Sequence, residues 1–140
     1  MSMKQKNLIY HPKQVPIDIK KVKGVGEKRC ECLGELAVQH SAKLAIGSQV
    51  LLSITSAKSD LSLHGRVIWI MGSEKNYLIG ITFYGEDEAY KMRMLEQLCH
   101  IQAYKRKVAN MEGRQLSDDE AAREWIIRYS KDFPEVALVH

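Results

Sequence analysis

Two periodicities divide the chain. From Ile17 to Phe83, short apolar runs alternate with polar residues, and turn residues interrupt them about every dozen positions. "PIDIKKVKG" alternates Ile17, Ile19 and, less cleanly, Val22, and the Gly24–Gly26 region reads as a turn. "CECLGELAVQH" is strand-like but broken around Gly34. "KLAIGSQVLLSI" turns at Gly47 and Ser48, then aligns Val50, Leu52 and Ile54 on one face. "DLSLHGRVIWIM" alternates Leu61, Leu63, Val67, Trp69 and Met71, with Gly65 marking a bulge or a close backbone approach. "GSEKN" is a hairpin loop, and Tyr77, Ile79, Ile81 and Phe83 return on one face. The pattern predicts a small antiparallel β-barrel or sandwich over residues 17–85.

After Gly85 the period lengthens to that of a helix. Residues 86–112 hold no proline or glycine, and Met94, Leu98, Ile101 and Val108 follow helical spacing with Leu95 beside them. Glu86, Asp87 and Glu88 lead this helix, Lys105, Arg106 and Lys107 crowd its far end, and Gly113 ends it. Ser117 and Glu120 have capping-box spacing for a second helix over 118–132. Its stripe is Ala122, Trp125, Ile126, Tyr129 and Phe133, and Pro134 stops it. The first helix spans about 40 Å at 1.5 Å per residue. Its stripe is covered either by the second helix folding back or by another chain. The extension therefore runs over 86–140, and residues 1–16, with Pro12 and Pro16, read as an extended arm.

Charge is uneven within a net +4: residues 1–29 carry +6, residues 30–85 carry none, and residues 86–140 carry −2. The basic N-terminal segment is either a solvated tail or a phosphate-facing arm. The longest apolar run, Val67–Met71, is far too short to span a bilayer, and the first residues lack the apolar stretch of a secretory signal. Three cysteines are an odd count in a chain of 140 residues that needs no staples. A reducing cytoplasm and no membrane insertion are expected.

Cys30 and Cys32 share one face of a strand, so a thiol metal site is a candidate reading. The remaining donors, Cys99, His100, His40, His64 and His11, offer no second close pair, and a disulfide across one residue is strained. No bound metal or other cofactor is expected. His64 and His100 read as surface or satisfied residues, and Trp69 and Trp125 as core anchors. No nucleophile–base spacing and no phosphate-cradling loop stands out, so no enzymatic chemistry is expected. Few aromatics interleave with the basic arm, which argues against a nucleic-acid-binding module.

The order of these pieces resembles the PilZ domain, a bacterial β-barrel that binds cyclic di-GMP. In "LHGRVIWIMGSEKNYLIGITF", Gly65, Val67 and Trp69 match one family strand, and Tyr77, Gly80 and Phe83 match the next. "LAIGSQVLLSI" resembles an upstream strand, and the likeness covers roughly residues 8 to 95. The resemblance implies a small antiparallel PilZ-like barrel followed by a helical extension.

Family members hold cyclic di-GMP with an Arg-x-x-x-Arg arm and an Asp-x-Ser-x-x-Gly turn. Here Tyr10 and Gln14 take the two arginine places, with Lys13 beside one of them. Cys30 and Cys32 take the Asp and Ser places, Glu35 takes that of the last Gly, and Gly34 stands one position early. Hydrogen bonds to charged groups contribute about 1.5–3 kcal/mol each, so two lost arginines cost roughly 3–6 kcal/mol. That is on the order of a hundredfold to ten-thousandfold in affinity. Tyr10 retains a stacking ring, and Lys13, Lys20 or Lys21 partly replace phosphate contacts. The resemblance thus implies a non-enzymatic signalling adaptor for motility, pilus or biofilm control, with weak or absent nucleotide binding. A receptor using replacement residues is the first alternative, and a basic nucleic-acid-binding module is the second. Partners are then proteins, including a second copy joined through the 86–112 helix.

Overall fold

The computed structural model describes residues 8–13, 15–22, 32–55 and 60–133. Six strands form one sheet: β1 (Leu8–Tyr10), β2 (Asp18–Lys21), β3 (Cys32–His40), β4 (Gln49–Thr55), β5 (Asp60–Ser73) and β6 (Asn76–Tyr84). Two helices follow, α1 (Gly85–Glu112) and α2 (Asp118–Tyr129), with a closing 3-10 turn at Ser130–Asp132. The fold is mixed α and β.

The sheet order is β1-β3-β6-β5-β4-β2. It corrects the expected barrel in two ways. The sheet is open, with β1 and β2 at opposite edges and no ladder between them among the described residues. It is also mixed, because β1 runs parallel to β3. The physical reason is that α1 packs on the apolar face over β3, β6 and β5, so those strands are covered without the sheet edges pairing. Strand β1 lies inside residues 1–16, the stretch read as an extended arm.

The core sits between this face and α1. Leu36, Val38, Val50, Leu52, Leu63, Val67, Ile79, Ile81 and Phe83 are all essentially inaccessible. Ile9 of β1 and Ile54 of β4 complete the layer. Period-two alternation places them there, as expected for strands with one wet face. Beyond Val67 the alternation fails. A register shift between Val67 and Trp69 makes Ile68 an extra residue, so Ile70 pairs with buried Ile79 while Trp69 and Met71 turn outward. The bulge is therefore at Ile68, not at Gly65. Gly65 instead marks close approach: a Cβ there would collide with the Ile81 side chain and the Thr82 carbonyl.

Gly34 breaks β3 with φ +74, and the register shifts around it between Leu33 and Glu35. A Cβ at Gly34 would press on Met92 and Ala89, so the bulge is also where α1 sits down on the sheet. The N-terminal half of α1 buries Ala89, Met92, Leu95, Glu96 and Cys99. The second half buries Ile101, Tyr104 and Val108, and α2 folds back on α1 with Trp125 and Ala121 buried. Two of the expected stripe residues, Met94 and Leu98, stay 48% and 58% exposed. On α2, Ile126 and Tyr129 are likewise exposed. Gly113 ends α1 in the left-handed region; its N–H donates to the Ala109 carbonyl and the Arg114 N–H to the Val108 carbonyl. The Ser117–Glu120 capping box is present in both directions.

Candidate functional site

Three short segments meet where β1 ends: the strand itself, the turn after it, and the middle of α1. Alternation along Ile9-Tyr10-His11 puts Ile9 in the core and turns Tyr10 outward, 57% exposed. The His11 N–H extends the ladder to the Ala37 carbonyl at 2.9 Å, and its ring is buried. Pro12 then ends the strand, because it has no N–H to offer.

His11 Nδ1 lies 2.7 Å from Glu96 Oε2, and Nε2 lies 2.7 Å from the Val15 carbonyl oxygen. The Val15 carbonyl only accepts, so Nε2 carries a proton; against an ionised Glu96, Nδ1 carries one as well, and the pair is an imidazolium facing a carboxylate. Burial opposes the charge on His11. The hydrogen bond and the charge of Glu96, with the Val15 carbonyl, outweigh that and raise its pKa above the ordinary histidine value. Next to it, Cys99 lies on the same face of α1, and its thiol is pushed up to about 12 by burial and by Glu96. His100 has the opposite fate. Its Nε2 donates to the Tyr10 carbonyl at 2.8 Å, and burial lowers its pKa despite Glu96. Its ring also stands edge-on to Phe133 at 5.3 Å, within a cleft that includes Pro12, Tyr104 and Trp125.

The expected ligand positions do not assemble into one cradle. Gln14 and Cys30 lie outside the described residues, and Lys13 is exposed in the turn after β1. Cys32 opens β3, its backbone paired with Tyr84. Tyr10 and Glu35 lie on neighbouring strands of the outer face, where Tyr10 pairs with Ala37 and Leu8 with Glu35. Ladder pairing defines one outer row as Tyr10, Ala37, Gly80 and Trp69. The indole of Trp69 lies across Gly80, where any Cβ would fall inside the ring, and its Nε1 donates to Glu35 Oε2 at 3.1 Å. Glu35 thus holds Trp69 from two strands away. Trp69 is a half-buried residue of the outer face, not the core anchor expected of it; Trp125 is buried as expected.

Glu96 went unrecognised in the sequence, and His11 was counted only among the scattered donors, with no partner assigned. One signal was present: Glu96 stands among Met92, Leu95 and Cys99 on the side of the helix that packs inward.

Comparison of the chain with protein-family models, with curated proteins and with solved structures returned no match. Among the described residues, no helix is long and apolar enough to cross a membrane.

Proposed function

We propose that this chain is a PilZ-like, non-enzymatic adaptor of bacterial cyclic di-GMP pathways, acting in the cytoplasm by protein contact and binding the nucleotide weakly or not at all. The observation that carries this reading is on α1. Tyr90, Met94 and Leu98, at successive i, i+4 positions, are 56%, 48% and 58% exposed on its outward side. Large apolar side chains in a row on one helix face form the kind of surface that a protein partner covers. Beside Leu63, Lys91 and Leu95, the same stripe borders a shallow notch in the surface.

The nucleotide side supports the same reading. Glu35, at the place of the signature glycine, carries a carboxylate already engaged by Trp69. An anionic dinucleotide approaching this turn meets negative charge where the family offers bare backbone. Calorimetric titration of the full chain with cyclic di-GMP tests this directly: sub-micromolar binding refutes it. Capture of a partner by the wild type and its loss with Met94→Glu/Leu98→Glu is the expected outcome on the protein side.

One observation favours the receptor alternative. Exposed Tyr10 shares its outer row with Trp69, and Arg66 is exposed in the neighbouring row through its pairing with Thr82. Two rings and a guanidinium on one face are chemistry suited to a guanine dinucleotide. If that alternative holds, Tyr10→Ala abolishes the binding seen in the titration.

A further inference from the structure

His11, Glu96 and Cys99 present three different donors, an imidazole nitrogen, a carboxylate oxygen and a sulfur, all within 4.8 Å of one another and all buried. The ion pair accounts for only part of this arrangement. Glu96 Oε2 meets His11, but Glu96 Oε1 is buried with no hydrogen-bond partner. A buried carboxylate oxygen left this way is costly. We propose that these three side chains form a binding site for a divalent cation of the zinc type, which clamps the edge strand β1 to α1.

Nitrogen, carboxylate oxygen and thiolate sulfur are the donors such an ion selects. Glu96 and Cys99 stand at i and i+3 on one helix face, so α1 supplies two ligands from adjacent turns. His11 supplies the third from the end of β1. Its orientation is set in advance: the Val15 carbonyl accepts from Nε2, which leaves Nδ1 toward the cluster. With bonds of about 2.0–2.3 Å, tetrahedral ligands stand about 3.3–3.7 Å apart, so the cluster needs shifts of about an ångström. His100 flanks the site without joining it. Its Nε2 is 4.0 Å from Glu96 Oε1 but donates to Tyr10, so that nitrogen has no lone pair to give. The fourth position falls to a solvent donor.

Charge balance supports the assignment. The cation replaces the proton on His11 Nδ1 and the proton on Cys99 Sγ, and both protons leave to solvent. A dication with one carboxylate, one thiolate and a neutral imidazole is neutral overall, which suits a buried place. Because two protons leave when the cation binds, binding weakens as pH falls.

Cobalt(II) titration of the reduced full chain tests the site, read by thiolate-to-cobalt absorption and competed with zinc. Expected are one equivalent bound, release of about two protons, and retention of the signal in Cys30→Ser/Cys32→Ser. The absorption should vanish in Cys99→Ala, and affinity should fall more than about tenfold in Glu96→Gln, both checked for native fold by circular dichroism. Zinc should also raise the melting temperature of the wild type and not of Cys99→Ala. Absence of the absorption in folded wild type at about 100 µM cobalt overturns the proposal. So does absorption that survives Cys99→Ala or disappears in Cys30→Ser/Cys32→Ser, which would place the thiolate elsewhere.

Discussion

Truncating His11 to alanine leaves the buried carboxylate of Glu96 without its ion-pair partner. Breaking one side of a buried ion pair costs about 3–5 kcal/mol, because the remaining charge is uncompensated. Urea unfolding of His11→Ala at neutral pH should show a loss of that size. The pH dependence has a definite sign. The folded-state pKa of His11 is raised, so its contribution is fully present below the unfolded value of about 6.5 and fades as pH rises through the folded value. His100 is lowered and acts in reverse: its contribution is lost as pH falls from the unfolded value toward the folded one. Removing His11 should therefore flatten the alkaline side of the stability profile and leave the acidic side. A second outcome concerns Cys99. With its thiol pushed up to about 12, the thiolate is scarce at pH 8, and alkylation followed by mass spectrometry should spare it until urea is added. The pairing was not readable in the chain: the place of Glu96 on the inward side of its helix hints at burial, but the histidine that neutralises it is 85 positions away. Long-range pairing of that kind leaves no local signature.

Gly80 shows what a single missing Cβ permits between strands. With no side chain on β6, the Trp69 indole crosses from β5 to reach Glu35 on β3. Gly80→Ala forces the ring off the sheet and breaks that bond, so a loss of about 1–3 kcal/mol is expected from overpacking. Tryptophan fluorescence should shift to the red with it. The bulge at Ile68 is what aims Trp69 outward, and it explains why alternation in "RVIWIM" was misleading: one inserted residue reverses every face after it. Where no insertion intervenes, alternation located the core well, as Val50, Leu52, Ile54, Ile79, Ile81 and Phe83 show. Helix ends were equally readable, because capping is local chemistry. Ser117→Ala, which removes a cap that accepts from the Glu120 N–H at 3.1 Å, should cost about 0.5–2 kcal/mol in thermal unfolding. Closure of the sheet was not readable. Strand sequences specify which face is buried, but not whether an edge is met by another strand or left beside a helix. Here α1 packs over β3, β6 and β5, and β1 and β2 form no ladder with each other among the described residues.

Among the described residues, α1 leaves an apolar surface uncovered, and its charges suggest what covers it. Asp87 and Lys105 are 18 positions apart on α1, about five turns, so they share the side of the helix that bears Met94 and Leu98. Two copies laid antiparallel about residue 96 place Met94 of each against Leu98 of the other. The same alignment sets Asp87 of each opposite Lys105 of its mate. Such a face is self-complementary, as a two-fold contact requires. Lys105 already contacts Asp118 at 2.8 Å, but that pair is exposed and weak enough to be shared or exchanged. The apolar patch is small, so a weak, reversible association is expected rather than an obligate dimer. Sedimentation of the full chain at roughly 50 µM should show a concentration-dependent dimer, lost in Met94→Glu/Leu98→Glu because burying four carboxylates at the two-fold axis is prohibitive. Asp87→Lys should weaken it, since a lysine then meets a lysine, and Asp87→Lys/Lys105→Asp should restore it. Only this antiparallel alignment predicts that rescue. A wild-type chain that stays monomeric at that concentration, or a charge swap that fails to recover the dimer, would assign the stripe to a different protein.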